Sequence, residues 1–396
     1  MTGAPGPGGN FMEQLLGDLL QLMGGERGAD RVELARGLAQ SVATGGQPEP
    51  NVDPLARIRL EELVRVAELH VAELTGLSPN PGGMPLVVDA VGPGAWAGRT
   101  LADWRFLVEA MTAGADQAAG QLPPVDGLGS EAGELMARFV AGMGPMLASL
   151  QLGSAVGHLA RTTLGQYEVP IPRTGTGLLF VPANVDRFAE DWSLDPDEVR
   201  LWVCLREVTI HAVLGRAHVA ERLRTLVTDV VRGMAGDAAG MIEQLQQADL
   251  SDPESLQNML SDPEALLSAT ASPERARASA ELMAVTGALM GYVEHVLDRS
   301  ATRLLGGRGA LAEAWRRRQV QRDAPARTAE VLFGLDLGPA QVARGLDFVR
   351  GVVERAGEEG LARLWATPAT LPTPSEIDAP GLWLERISFE DDAAGA

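Results

Sequence analysis

The sequence predicts a mainly α-helical protein with one small β element, and three observations support this fold class. Apolar residues recur at helical spacing through most of the 396 residues. Gly and Pro interrupt that pattern at short intervals, as connections between helices do. Only the stretch GLLFVP at 177–182 is a continuous apolar run with turn residues on both sides, which is typical of a short buried or edge strand.

The first well-defined helix is predicted over residues 55–75. Its apolar residues fall on one stripe with Glu and Arg opposite, which is the pattern of an amphipathic helix; they are Leu60, Leu63, Val64, Ala67 and Val71. A loop rich in Gly and Pro is expected over residues 76–94. Helical spacing then resumes from about Trp96 to Ala119.

Residues 139–160 contain no Asp, Glu, Lys or Arg over about the length that crosses a bilayer. Gln151, His158 and several Gly lower the hydrophobicity of this segment, which favours a buried core helix over a membrane span. The pair Gly142 and Gly144 predicts a break into two shorter helices.

Two longer helices are predicted in the second half of the chain. Asp195, Pro196 and Glu198 supply an N-cap, a proline at the first helical position and a Glu three residues after the cap. The helix that begins there carries the sequence LWVCLREVTIHAVLG at 201–215. The other long helix is expected from about Glu274 to Leu305.

The charge balance restricts the possible partners. The formal net charge of −20 comes from 53 acidic and 33 basic residues, and a field of that sign repels nucleic acid and anionic membranes. The run Arg316–Arg318 with Arg322 is interpreted as a solvated helical face. The N-terminal residues lack the basic region of a signal peptide, and the single Cys204 excludes an internal disulfide, so we expect a cytoplasmic protein.

The chemistry-bearing part of the sequence is the segment REVTI at 206–210, a variant of the H-E-x-x-H motif. In that motif two His four residues apart share a helix face and bind Zn²⁺, while the Glu polarises a metal-bound water. Here Arg206 and Ile210 stand at the two His positions, and only Glu207 is retained. Without nitrogen ligands, no metal is expected in this register.

A shifted metal site is the alternative. Glu207 and His211 are spaced i, i+4, and His218 follows seven residues later, so the three could share a face if the helix ran straight through Gly215. A structural or exposed His is the commoner outcome for such spacing. Farther along the chain, Glu294 and His295 could face the cleft of the former metal site. An exposed pair is again the commoner outcome for such residues.

Five blocks of the chain, taken together, resemble a known family. They are RVELARGLAQ from residue 31, LGQYEVPIPRTGTGLLFVPANVDRF at 164–188, SLDPDEVRLWVCLREVTIHAVL at 193–214, ELMAVTGALMGYVEHVLDRS at 281–300 and the stretch from VLFGLDLGPAQVARG at 331 onward. The chain is similar to the zincin-like family of actinobacterial proteins labelled hydrolases or zinc-dependent metalloproteases. One branch of that family is labelled as associated with coenzyme F420 biosynthesis.

The resemblance implies a zincin-like helical domain and assigns roles to individual positions. It places the first zinc ligand at Arg206, the general base at Glu207, the second ligand at Ile210 and the third at Met290, where the following Gly291 anchors the alignment. All three ligand positions are non-ligating in this sequence. The resemblance implies zinc for the family, but no cofactor is expected here, and the chain resembles a member with a degenerate metal motif.

The sequence allows two arrangements of Arg206. Its guanidinium either pairs with Glu207 or another carboxylate near the former metal position, or it points into solvent while Ile210 packs in the core. We expect the zincin-like domain to span residues 55–370, with residues 1–54 as a flexible segment with short helices and residues 371–396 as a proline-rich, acidic tail.

The sequence therefore predicts a pseudo-metalloprotease that acts by binding an unidentified protein or peptide partner or as a structural or regulatory partner. The chain is expected to have lost the hydrolase activity that the resemblance implies for the family. The alternative is a hydrolase with the relocated metal site at Glu207, His211 and His218, or one in which Glu207 acts as a general base without metal, which would require a raised pKa in a dry cleft.

Overall fold

The computed structural model describes residues 29–120 apart from 81, 82 and 84, residues 130–247 apart from 176, and residues 272–304, 308–321 and 324–395. The predicted mainly α fold is confirmed. The first half of the described chain contains α1 (Ala29–Thr44), α2 (Pro54–Thr75), β1 (Val88–Ala90), α3 (Pro93–Asp103), α4 (Arg105–Gly120), α5 (Ser130–Ala160) and β2 (Leu178–Phe180). The second half contains α6 (Pro182–Asp191), α7 (Pro196–Leu214), α8 (Ala217–Gln247), α9 (Pro273–Leu304), α10 (Arg308–Val320), α11 (Ala324–Leu332), α12 (Pro339–Ala362) and α13 (Pro380–Gly395).

Helix α2 forms as its sequence predicts. Asp53 caps its first turn by accepting a hydrogen bond from the Leu55 N–H at 2.9 Å, and Gly76 ends it in the left-handed conformation at φ 68°. The predicted apolar stripe is the buried face, with Leu63 the one half-buried member. This face packs on α7 and on β1, so α2 supports the helix that carries the REVTI segment.

The long uncharged segment departs from the prediction in one respect. It belongs to a single helix, α5, with Pro145 inside it, so the expected break near Gly142 and Gly144 is wrong. Packing on α1, α3 and α4 keeps the helix continuous despite the missing proline N–H. Gly153 permits this packing, because a Cβ there would lie 2.5 Å from the carbonyl oxygen of Ala35. Within the described ranges, no helix is long and apolar enough to cross a membrane.

The small β element is a two-stranded parallel sheet in which Val88 pairs with Leu178 and Ala90 with Phe180. Strand β2 lies inside the predicted run at 177–182. Strand β1 lies inside the segment predicted as a loop, and that prediction is wrong there because three residues are too few to show a strand pattern. Gly165 forms an isolated antiparallel bridge to Phe180, which brings the segment after α5 alongside the sheet.

Helix α7 begins as predicted, with the Asp195 carboxylate accepting hydrogen bonds from the N–H groups of Asp197 and Glu198 at 2.9 and 3.0 Å. It packs against α2, α6, α8 and α9, and its residues from 202 to 210 are all buried. Burial on every side explains why this helix lacks a polar face.

Helix α9 spans nearly the predicted residues and crosses α12 at very short range. The approach requires glycine, because a Cβ at Gly345 would collide with the backbone of Gly287, and one at Gly291 would collide with Gly345. The C-terminal helix α13 packs on α12 and buries Trp383, whose ring centroid lies 5.7 Å from that of Phe348. Residues 1–28, part of the predicted N-terminal segment, lie outside the described residues.

Candidate functional site

The REVTI segment contains a buried ion pair. Arg206 and Glu207 are only 4% and 1% exposed. Nη1 of Arg206 donates a hydrogen bond to Oε1 of Glu207 at 2.7 Å. Of the two arrangements considered for Arg206, the structure therefore has the buried, paired one. A buried charge is tolerable only with such a partner, because desolvation of an unpaired ion costs several kcal/mol, roughly.

The same two side chains hold the backbone of Tyr167 from both sides. Arg206 Nη1 donates to the Tyr167 carbonyl oxygen at 3.0 Å, and the Tyr167 N–H donates to Oε2 of Glu207 at 2.7 Å. Gly165 allows this approach, because a Cβ there would lie 2.5 Å from Cδ of Glu207. The pair thus fixes the segment that follows α5 against α7, and both carboxylate oxygens of Glu207 have internal donors.

An aromatic side chain from α10 covers Arg206. The guanidinium carbon of Arg206 lies 5.2 Å from the ring centroid of Trp315, which also lies 4.9 Å from the ring of Trp202. Such contacts stabilise a desolvated guanidinium through the quadrupole of the ring. Trp315 is 7% exposed, so the ion pair is closed off from solvent on this side as well.

The remaining positions that the resemblance assigns to zinc carry no donor suited to it. Ile210 is fully buried on α7, and Met290 is 5% exposed on α9, which packs against α7. A hydrocarbon and a thioether offer no imidazole or carboxylate to Zn²⁺. Together with the guanidinium of Arg206 bonded to Glu207, these side chains do not fit a zinc site.

The electrostatics of the buried groups follow from their surroundings. Burial raises the pKa of the Glu207 carboxyl, while the Arg206 guanidinium and the Tyr167 N–H act in the opposite direction. Burial also raises the pKa of the Cys204 thiol. Cys204 is buried, and a thiol in that state is a poor nucleophile.

One residue beyond the REVTI segment, helix α7 opens to a groove of about 430 Å³. His211 lines this groove and its Nδ1 lies 2.9 Å from the Tyr167 hydroxyl. Burial lowers the pKa of His211 to about 4, so its imidazole is neutral near pH 7. The rest of the wall is largely Pro and aliphatic: Pro79, Pro85, Leu86, Val87, Pro172 and Leu214. We call this the His211 groove.

The other predicted site residues are placed apart. Helix α7 ends at Leu214, so His218 lies on α8 and the straight helix assumed for the relocated site does not form. His295 does not meet these residues; its Nε2 lies 3.0 Å from Glu358 of α12, and Glu294 lines a different groove beside Trp315. Among the described residues, no three His, Cys, Asp or Glu side chains are arranged to hold a metal ion.

Two contributors to the site could not be found from sequence. Tyr167 contacts the ion pair through its backbone, which carries no sequence signal because every residue has one. Its hydroxyl contacts His211, which lies 44 positions later in the sequence. Trp315 stands in the arginine-rich part of α10, where the pattern predicted only a solvated face. The fold alone brings both to Arg206, because each contact joins elements distant in the chain.

These features define a class of protein, one with a helical fold and a buried helix that carries a variant of the H-E-x-x-H motif. A family model described as Zincin-like metallopeptidase matches residues 31–384, and the chain belongs to that family. A crystal structure from Chloroflexus aurantiacus, described as a putative hydrolase with a novel fold, is similar over 90% of this chain and 98% of that chain, with a TM-score of 0.58. The sequence identity to it is 23%, so the likeness shows the fold alone. No curated protein matches the chain.

Proposed function

We propose that this protein is a family member without zinc-dependent peptidase chemistry, which acts by binding a protein or peptide partner or as a structural or regulatory partner. The buried pair of Arg206 and Glu207 is the observation that carries the proposal. Zinc is not part of the proposed function. The net charge of −20 supports partners other than nucleic acid or anionic membranes, and the cytoplasm is the proposed compartment.

The state of Glu207 supports the loss of chemistry. In the H-E-x-x-H mechanism this carboxylate must reach a metal-bound water and accept its proton. Here Oε1 accepts from Arg206 and Oε2 from the Tyr167 N–H. Reaching a substrate would require breaking both bonds and leaving the Arg206 cation buried without a partner, which costs about 3–5 kcal/mol. The same cost applies to Glu207 as a metal-free base.

The three altered positions support the proposal together. Removal of one ligand would leave a weak zinc site, whereas a cation at Arg206 adds repulsion of Zn²⁺, and Ile210 and Met290 are packed as core residues. A change of this kind alters the chemistry at every ligand position while preserving a well-packed interior. The fold is then available for recognition instead of hydrolysis.

A hydrolysis assay tests the proposal. Labelled casein and a panel of esters and peptides are incubated with the wild-type protein, with and without added Zn²⁺, beside the Glu207→Gln variant. We expect turnover at the background level for both proteins. Zinc-dependent turnover by the wild type that drops in Glu207→Gln would contradict the proposal.

A restored site provides the positive control. The triple variant Arg206→His, Ile210→His, Met290→Glu returns the ligands that the resemblance assigns, and we expect it to gain stoichiometric zinc. The matched control, Arg206→Gln, Ile210→Val, Met290→Leu, changes the same three positions without adding ligands and is expected to bind none. Circular dichroism on both variants shows whether each one folds.

A further inference from the structure

A second groove, of about 290 Å³, is lined by residues of α6, of α10 and of the segment that follows α5. Arg318 forms part of its wall and lies 4.8 Å from the ring of Trp315, the ring that also covers Arg206. Two more guanidinium groups line it, from Arg161 after α5 and from Arg187 of α6. Three Arg from three separate elements thus meet at one groove, which we call the arginine groove.

Arg318 is held in place, in contrast to its neighbours on α10. Its side chain is 14% exposed, and Nη2 donates to the Thr162 carbonyl oxygen at 2.5 Å and to Glu168 at 3.3 Å. Arg316 and Arg317 are 66% and 62% exposed. The prediction of a solvated face is therefore wrong for Arg318, because a one-residue step along a helix turns a side chain by about 100°.

Two buried polar atoms of residues in this groove's wall have no hydrogen-bond partner within the described part of the chain. One is Nη1 of Arg318, a donor, and the other is Oδ1 of Asn184, an acceptor. The orientation of the Asn184 amide is fixed, because its Nδ2 donates to the carbonyl oxygens of Ala160 and Thr163 at 3.1 and 2.8 Å. Asn184 is 3% exposed. Buried polar atoms are nearly always bonded, and because both residues line the groove, a ligand there is one source of the missing acceptor and donor.

The charges at the groove favour an anion. Glu168 is buried against Arg318, and Asp191 is the other carboxylate in the wall. Arg161 and Arg187 are exposed and form no ion pair with any described residue. Three cations against two carboxylates leave a local positive charge in a chain whose net charge is −20. Guanidinium groups bind carboxylate and phosphate oxygens through paired N–H donors.

We propose that the arginine groove binds a small oxyanion that also carries a hydroxyl group, with Arg318 donating to the oxyanion and Asn184 accepting from the hydroxyl. Hydrogen phosphate and a hydroxycarboxylate share this chemistry. Phe188 and Trp192 form an apolar part of the wall, against which the body of a larger ligand packs. This site is independent of whether the protein has lost zinc.

Isothermal titration calorimetry at constant ionic strength tests the proposal with two matched pairs of probes. Inorganic phosphate is compared with sulfate, which lacks a hydroxyl at neutral pH, and citrate with tricarballylate, which lacks the hydroxyl of citrate. We expect saturable one-site binding of phosphate or citrate, and binding of its partner weaker by about tenfold or more. A response to phosphate alone identifies a phosphate site, and a response to citrate alone a carboxylate site.

Variants locate the binding. Arg318→Gln is expected to weaken it by about tenfold or more, since it removes a charge-assisted bond. Arg187→Gln changes an exposed residue, so it keeps the fold and is also expected to weaken binding. Arg317→Gln removes the same charge from the same helix and is expected to change nothing. Absence of saturable binding, equal affinity within both probe pairs, or equal effects of Arg318→Gln and Arg317→Gln would each overturn the proposal.

Discussion

Two successive turns of helix α7 differ at one position in their relation to solvent. The turn that carries Arg206 and Glu207 is sealed, with both side chains at most 4% exposed and bonded to each other and to Tyr167. The next residue after the REVTI segment, His211, lines a groove. The sealed turn holds charges and needs internal partners, whereas the next turn, which we call the open turn because its His211 lines the groove, holds an imidazole whose pKa is lowered by burial and which is therefore neutral.

Tyr167 connects the two turns. Its backbone is bonded to the ion pair, and its hydroxyl lies 2.9 Å from Nδ1 of His211. The difference between the turns shows how the polar residues of a hydrolase-like motif can serve the fold: the ion pair positions a loop, and the loop in turn orients His211 at the groove through the Tyr167 hydroxyl. The predictions below separate the contributions of these parts.

The largest effect is expected from Glu207→Ala, which leaves the Arg206 cation buried without its partner. We expect the free energy of unfolding to fall by about 3–5 kcal/mol in urea denaturation. The double variant Arg206→Met, Glu207→Gln removes both charges and is expected to recover much of this loss. A loss below about 1 kcal/mol for Glu207→Ala would place the pair in contact with water.

The second effect concerns pH and the open turn. The pKa of His211 is about 4 in the folded protein, against 6.5 for an ordinary imidazole. Between these values the unfolded chain binds the proton and the folded chain does not, so stability falls as the pH drops from about 6.5 to about 4, by about 2–3 kcal/mol. His211→Gln removes this contribution. An identical slope of stability against pH in both proteins would contradict the buried, neutral imidazole.

A smaller effect is expected from Tyr167→Phe, which removes the hydroxyl and keeps the backbone bonds to Arg206 and Glu207. The loss should be about 1 kcal/mol, the usual contribution of one hydrogen bond. In a double-mutant cycle with His211→Gln, the two losses should not add, because each change breaks the same bond. Strictly additive losses would show that the two side chains do not interact in solution.

The smallest effect is expected at a surface ion pair that, like the buried pair, joins an Arg to a Glu. On α10, Nε of Arg317 lies 2.7 Å from Oε1 of Glu313, which is the nitrogen–oxygen distance found in the buried pair. Solvent and salt screen such a pair, so Arg317→Gln should leave the urea midpoint unchanged. A shift as large as that of Glu207→Ala would remove the distinction between sealed and exposed pairs.

Much of the fold was predictable from local patterns. The Asp195 cap, the stripe of α2 and the strand at 177–182 all depend on neighbours within a few residues, and the structure has them where predicted. Strand β1 and the unbroken α5 were not predictable, because one is too short for a pattern and the other is held straight by helices from elsewhere in the chain.

The site divides in the same way. Local spacing identified Arg206, Glu207 and Ile210 as neighbours on one helix, but the hydrogen bonds that define the site run to Tyr167, about 40 residues away. The half-buried, hydrogen-bonded state of Arg318 was also not predictable, because the three neighbouring Arg look alike in sequence and only packing distinguishes Arg318 from the other two. Contacts of long sequence separation are set by the fold, which local patterns do not encode.

The zinc content of the purified wild-type protein tests the central claim most directly. The protein is prepared without chelator in medium that contains zinc and is then dialysed. Its zinc content is measured by elemental mass spectrometry beside that of the restored triple variant. Because the Arg206 guanidinium is bonded to the Glu207 carboxylate, we expect only trace zinc in the wild type. We expect stoichiometric zinc in the restored variant. Stoichiometric zinc in the wild type, lost in Glu207→Ala or His211→Ala, would contradict the account.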